Sequence, residues 1–142
     1  MKLPQVVVYE TDGWLAGQIK RLAGENGWLV RESRQPEACL ALLREAPLAV
    51  VLLKLEKDLV EGLTFLSSLA EHAPDCPVIL VSDVKMEGSE QRAQLTALAF
   101  DLGVRYVLFP PLQQTVIEDL VSGFMSATLK RLTGLEANEE NA

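Results

Sequence analysis

Glu10-Thr11-Asp12 and Lys54 are the side chains best placed by type and spacing to do chemistry. Carboxylates one residue apart can ligate a hard cation or balance an ammonium group. Lys54 supplies that ammonium at the end of the apolar run Leu48 to Leu53, with Glu56 and Asp58 two and four residues further on. Ser82 adds a hydroxyl at the end of a second apolar run that starts at Pro77. The constellations of common enzymes are missing. The single histidine, His72, has no neighbouring nucleophile, and the sequence holds no Gly-x-Gly-x-x-Gly or Walker motif. The acidic stretch Glu10 to Gly13 lacks the glycine-rich amide cradle that the phosphate of FMN prefers. No enzyme activity, cofactor or metal is expected.

These residues need a scaffold, and the hydropathy pattern supplies one. Val6 to Tyr9 is a short apolar strand; Leu15, Ile19 and Leu22 then recur at helical spacing, predicting a helix from Gly13 to Gly24. Asn26-Gly27 interrupts, and Trp28 to Val30 begins a second strand. Pro36 suits the first turn of a helix over Glu37 to Glu45, with Pro47 ending it. Strand three is Leu48 to Leu53, ending in Lys54, and a helix spans Glu61 to His72 before Pro74. Strand four is Pro77 to Ser82, followed by the polar stretch Asp83 to Gly88. Ser89 reads as the N-cap of a helix ending near Gly103. Strand five is Val104 to Phe109, and a last helix runs from Thr115 to Leu132. Continuous apolar strands alternating with helices predict an α/β protein with one doubly wound, five-stranded parallel sheet covered on both faces. In such a fold a site lies outside the carboxyl ends of the strands. Glu10, Thr11, Asp12, Lys54, Ser82, Phe109 and Pro110 all stand there.

Composition sets outer bounds. The 142 residues suffice for one domain, with 49% hydrophobic and 23% charged. A net charge of −7 argues against direct nucleic-acid binding, which needs clustered cations. Residues 1–132 read as the domain and 133–142 as an acidic flexible tail carrying Glu136, Glu139 and Glu140. Cys39 and Cys76 lack metal-type spacing and read as buried free thiols of a cytoplasmic protein. No signal peptide follows Met1, and no apolar stretch approaches the ~20 residues of a membrane span.

The order and spacing over residues 4 to 128 resemble the receiver domains of bacterial response regulators, the CheY-like superfamily. That resemblance implies a flavodoxin-like (βα)5 fold with strand order 2-1-3-4-5. Receivers carry two acids after strand one that bind Mg²⁺; the matching residues are Glu10 and Thr11. Their phosphoryl-accepting aspartate matches Lys54, eight residues before Gly62. Their hydroxyl after strand four matches Ser82, their switch aromatic Tyr106, and their lysine before a proline Phe109, followed by Pro110. By the same likeness the Phe109–Pro110 bond is cis. Phosphoryl transfer to a carboxylate needs the carboxylate, the metal and a cation near the phosphate. The first and last are missing here, so no acyl phosphate is expected.

The likeness therefore implies an atypical receiver in two-component or phosphorelay-type signal transduction, acting by protein contact without phosphorylation. Its partner would be a histidine kinase, an effector domain or another signalling protein. The alternatives are the amino-terminal regulatory part of a longer transcriptional regulator, or a small-molecule sensor using the crevice. Lys54 either sits among Glu10, Asp12 and Glu56, where Mg²⁺ would stand, or extends to water on its apolar stem. Ser82 is either a switch hydroxyl or a strand-end group satisfying backbone. Trp14 either shields the site or packs. Ile117, Leu120, Val121, Phe124, Thr128, Leu132 and Leu135 form a stripe on the last helix. About three turns would cover the core, leaving the rest for a dimer surface or a linker. Receivers often pair through helix four, strand five and helix five, where Tyr106, Ile117, Leu120 and Phe124 would lie.

Overall fold

The computed structural model describes residues 3–46, 48–56, 58–82 and 88–140, with residues 135–140 described by backbone alone. The strands are β1 (Gln5–Tyr9), β2 (Leu29–Ser33), β3 (Ala49–Leu55), β4 (Val78–Ser82) and β5 (Tyr106–Leu108). The helices between and after them are α1 (Trp14–Asn26), α2 (Pro36–Glu45), α3 (Leu59–His72), α4 (Ser89–Asp101) and α5 (Gln114–Glu140). All strand pairs are parallel, in the order β2-β1-β3-β4-β5. This is the doubly wound receiver fold that the sequence predicts.

Side-chain alternation sorts the central strands onto two cores. Val6, Val8, Val50, Leu52, Ile79 and Val81 pack with Leu15 and Ile19 of α1 and Ile117, Val121 and Met125 of α5. Val7, Tyr9, Val51, Leu53 and Leu80 face the other way, onto Cys39 and Leu43 of α2, Phe65, Leu66 and Leu69 of α3, and Leu95 and Ala99 of α4. All seven residues of β3 are buried. Each fully buried Val or Leu contributes about 1.5–3 kcal/mol, so this central strand anchors the sheet.

Local chemistry fixes the element ends near the site. Gly13 takes φ 76° just before α1, a left-handed conformation that favours glycine. Asp58 caps α3, its Oδ1 accepting from the Glu61 amide at 3.0 Å. Gln5, 2% exposed, donates from Nε2 to the carbonyls of Leu42 and Ala46 and closes the end of α2. Gly62 lets α3 lie against β3: a Cβ there would collide with Leu55 Cδ1.

Several boundaries differ from the sequence expectation. β3 continues through Leu55, so Lys54 is the penultimate strand residue rather than the end. Its apolar successor Leu55 is fully buried and keeps the chain in the sheet. Ser89 is the first residue of α4 and not its N-cap, a place taken by Gly88 at φ 91°. The cis peptide joins Pro110 to Pro111, not Phe109 to Pro110. Asp83 and Pro47, read above as marking the ends of β4 and α2, lie outside the described residues.

The last helix departs most. It starts at Gln114, runs to Glu140, and so takes in most of the stretch read as a tail. Its docking also exceeds three turns. Ile117, Val121, Met125 and Thr128 are all buried, and Arg131 Nη2 donates to the Asp75 carbonyl at 3.2 Å. Ile117 is 0% exposed and Leu120 and Phe124 are half-buried against the same core, so Ile117 packs inside this domain and is no surface residue.

Candidate functional site

β1 and β3 are adjacent and parallel, so their carboxyl ends open together. A cleft of about 490 Å³ forms there, lined by Tyr9, Glu10, Thr11, Asp12, Lys54 and Glu56, with Arg34, Asp58, Glu61 and Gly62 completing its walls. The sequence reading named the acids and the lysine. It missed Tyr9, Arg34 and Glu61; Tyr9 could have been found as the last β1 residue and Glu61 as the neighbour of Gly62.

Lys54 is the centre. Its residue exposure is 5%, and Nζ donates to Asp12 Oδ2 at 2.8 Å. The same ammonium lies 5.8 Å from the centre of the Trp14 ring, a cation–π distance. Of the two readings of Lys54, its extension to water is excluded. Trp14 stands beside the ammonium, as the shielding reading has it, and is 37% exposed.

The acids divide their roles. Glu10, 3% exposed, accepts from the amides of Leu15 at 2.8 Å and Ala16 at 3.1 Å, so both its oxygens serve the first turn of α1. Burial raises its pKa above the ordinary carboxylate value; the two amides, and the Lys54 charge, oppose that shift. Asp12 moves the other way: the hydrogen bond from Lys54, then that from the Trp14 amide, lowers its pKa. Glu56 receives the Thr11 amide at 3.0 Å and the Thr11 hydroxyl at 2.9 and 2.7 Å. The β1–α1 loop is thus tied twice, to the β3–α3 loop by Thr11–Glu56 and to β3 itself by Asp12–Lys54. Tyr9 donates to Glu61 at 3.2 Å; burial, with that carboxylate, pushes its pKa up to about 12.

The other sequence candidates are dispersed. Ser82 is 0% exposed, pairs with Leu55, and is not in the cleft wall. Phe109 packs partly buried against the core under α4, with Arg92 5.5 Å over its ring, and Pro110 is likewise half-buried. Tyr106 is 44% exposed on edge strand β5. His72 is exposed at the end of α3, away from the cleft.

The receiver fold implies Mg²⁺ in this cleft, and the donor set does not fit it. A divalent cation wants several free oxygens. Here Glu10 holds two amides, Asp12 holds an ammonium and an amide, and Glu56 holds Thr11. The cation of this site is Lys54 itself.

No known protein family's sequence profile matches the chain, and no curated protein sequence matches it. Solved structures do. A CheY-like response regulator receiver domain from Methanospirillum hungatei superposes with TM-score 0.70 at 14% identity, covering 92% of this chain and 99% of that one. A response regulator from Thermotoga maritima gives 0.70 at 17%, covering 88% and 99%. NtrX from Brucella abortus, solved with ADP, gives 0.70 at 17%, covering all of this chain and 30% of that one. At these identities the likeness is one of fold. Among the described residues no helix is long and apolar enough to cross a membrane.

Proposed function

We propose that this chain is an atypical receiver module of two-component or phosphorelay-type signalling, acting through protein–protein contact and without phosphorylation. The observation that carries the reading is the buried Lys54 ammonium, held 2.8 Å from Asp12, on the residue that the resemblance matches to a receiver's acceptor carboxylate. A lysine forms no acyl phosphate, and its charge occupies the place of the metal. The Thr11–Glu56 and Asp12–Lys54 links keep the two cleft loops in one arrangement, so output would not wait on a phosphoryl group. The module is not an enzyme in this reading. Its partner is a histidine kinase, an effector domain or another signalling protein of the cytoplasm, not nucleic acid. Exposed Tyr106, with Leu98 of α4 at 43% exposure, offers a contact face for it.

The test treats the protein with acetyl phosphate and Mg²⁺, or with beryllofluoride and Mg²⁺, and follows it by intact mass and NMR. The expected outcome is no labile adduct and no shift at the Lys54 cleft. A phosphoryl adduct, or Mg²⁺-dependent beryllofluoride binding in the cleft, would overturn the proposal.

A second reading, a regulatory domain within a longer regulator, is favoured by α5. Its helix continues to Glu140, past Arg131 and Leu132, which make the last contacts with the domain among the side chains described, as a connector would. Limited proteolysis of the natural gene product would separate the readings by the mass of the stable fragments.

A further inference from the structure

Two hollows lie at the other end of the sheet from Lys54, of about 290 and 220 Å³, sharing Asp75 and Arg131. Leu40, Leu43 and Cys76 give the larger one an apolar floor. Arg44, His72 and Arg131 form its rim, and Arg105 joins Arg131 on the smaller one. Arg44, Arg105 and Arg131 are all exposed, on a chain whose net charge is −7. Asp75 stands between the hollows and already carries an ion pair with Arg131, 3.8 Å long and open to water. The remaining arginine charge faces outward.

α5 leaves the domain past this rim. Arg131 and Leu132 are its last residues to line a hollow. From Thr133 to Glu140 the helix adds about 12 Å at 1.5 Å per residue. Those two turns contain Glu136, Glu139 and Glu140 and no lysine or arginine. A continuous helix cannot bend back onto the groove beside its own exit, so an acidic helix end and a basic groove on one chain cannot satisfy each other.

We propose that the basic groove receives the acidic end of α5 from a second copy of this chain. The arrangement is two-fold: the two α5 ends cross antiparallel between the domains, and each copy supplies one groove and one helix end. The apolar floor provides contact area, and the rim arginines select an acidic segment and set its orientation. Because the rim arginines are exposed, the dimer is sensitive to salt.

Sedimentation velocity on the full chain tests this with two charge-reversed variants. One carries Glu136→Lys, Glu139→Lys and Glu140→Lys; the other carries Arg44→Glu, Arg105→Glu and Arg131→Glu. The wild type is expected to dimerise, and each variant alone to dimerise at least about tenfold more weakly. An equal mixture of the two should restore the dimer, since each altered groove then meets an altered helix end of opposite sign. The helix-end substitutions lie past Arg131 and Leu132, where the described contacts of α5 with the domain end, and an unchanged melting transition checks that they leave the fold intact. If the groove triple variant loses its melting transition, Arg131→Glu alone replaces it. A wild type that stays monomeric, variants that dimerise unaided through another face, or a mixture that fails to pair would each overturn the proposal.

Discussion

Lys54 Nζ lies 2.8 Å from Asp12 Oδ2, with the lysine side chain 3% exposed and the aspartate side chain 54% exposed. One end of this ion pair is dry and the other is wet. That asymmetry sets its energetics: removing the lysine lets Asp12 hydrate, whereas removing Asp12 takes a close carboxylate away from a buried ammonium. Lys54→Met keeps the apolar stem and should change stability by less than about 1 kcal/mol. Lys54→Ala also opens a cavity and should cost about 2 kcal/mol. Asp12→Ala should exceed Lys54→Met in cost. Urea unfolding of the three variants checks the order, and a Met variant as unstable as the Ala variant would show that the charge, not the stem, matters most.

Glu10 carries the start of α1 on its two oxygens. Glu10→Ala leaves the Leu15 and Ala16 amides without their acceptor and should cost about 2–3 kcal/mol. Glu10→Gln keeps one acceptor oxygen and should lose roughly half of that. Thermal unfolding at neutral pH measures both, and hydrogen exchange should show the loss concentrated in the first turn of α1.

The two acids give opposite pH responses. Glu10 has a folded pKa raised above 4.5, so the fold binds its proton more readily than the unfolded chain does. Its contribution to stability is fully present below 4.5 and is lost as pH rises through the raised value. Asp12 has a folded pKa lowered below 3.8; its contribution is present above 3.8 and is lost as pH falls through the lowered value. Acidifying from neutrality should therefore first make the Glu10 contribution more favourable and only later remove that of Asp12. Carboxyl NMR titration reads both directly. In Lys54→Met the Asp12 midpoint should move up towards 3.8, and the Glu10 midpoint should rise further, since the lysine charge no longer opposes burial.

Gly62 is set by packing, since any side chain there runs into Leu55. Gly62→Ala should destabilise by about 1–3 kcal/mol through overpacking between α3 and β3. Pairing it with Leu55→Ala should recover part of that loss, a non-additivity that a double-mutant cycle measures. Purely additive costs would mean that the two residues do not collide.

The sheet and its layers were legible because β1, β3 and β4 are apolar on both faces, and such strands cannot stand at a wetted surface. The strand order came from the resemblance, since periodicity carries no neighbour information. The Lys54 cleft was legible in its members but not in its pairing. Thr11 and Glu56 stand 45 positions apart, and which of Glu10, Asp12 and Glu56 would face the ammonium depends on how the loops turn. The Lys54 charge marks a strand end in the sequence, yet Leu55 continues the burial and the strand with it. The acidic composition after Leu132 carries no helix signal of its own, and α5 runs on through it to Glu140.

Cys39 on α2 and Cys76 before β4 belong to the same apolar core, and burial pushes the Cys39 thiol up to about 12 and raises that of Cys76. Only the thiolate attacks an alkylating reagent. The Cys39 sulfur, on a residue with 0% exposure, cannot be modified while the layer formed by α2 and α3 stays closed on the sheet, whereas Cys76 lines the larger basic hollow. The opposite layer, α1 and α5, contains no cysteine. The chain thus carries a stopwatch on one side only. The rate of Cys39 alkylation counts openings of the α2–α3 layer, and comparing it with global unfolding tells whether the two layers come apart together or in turn.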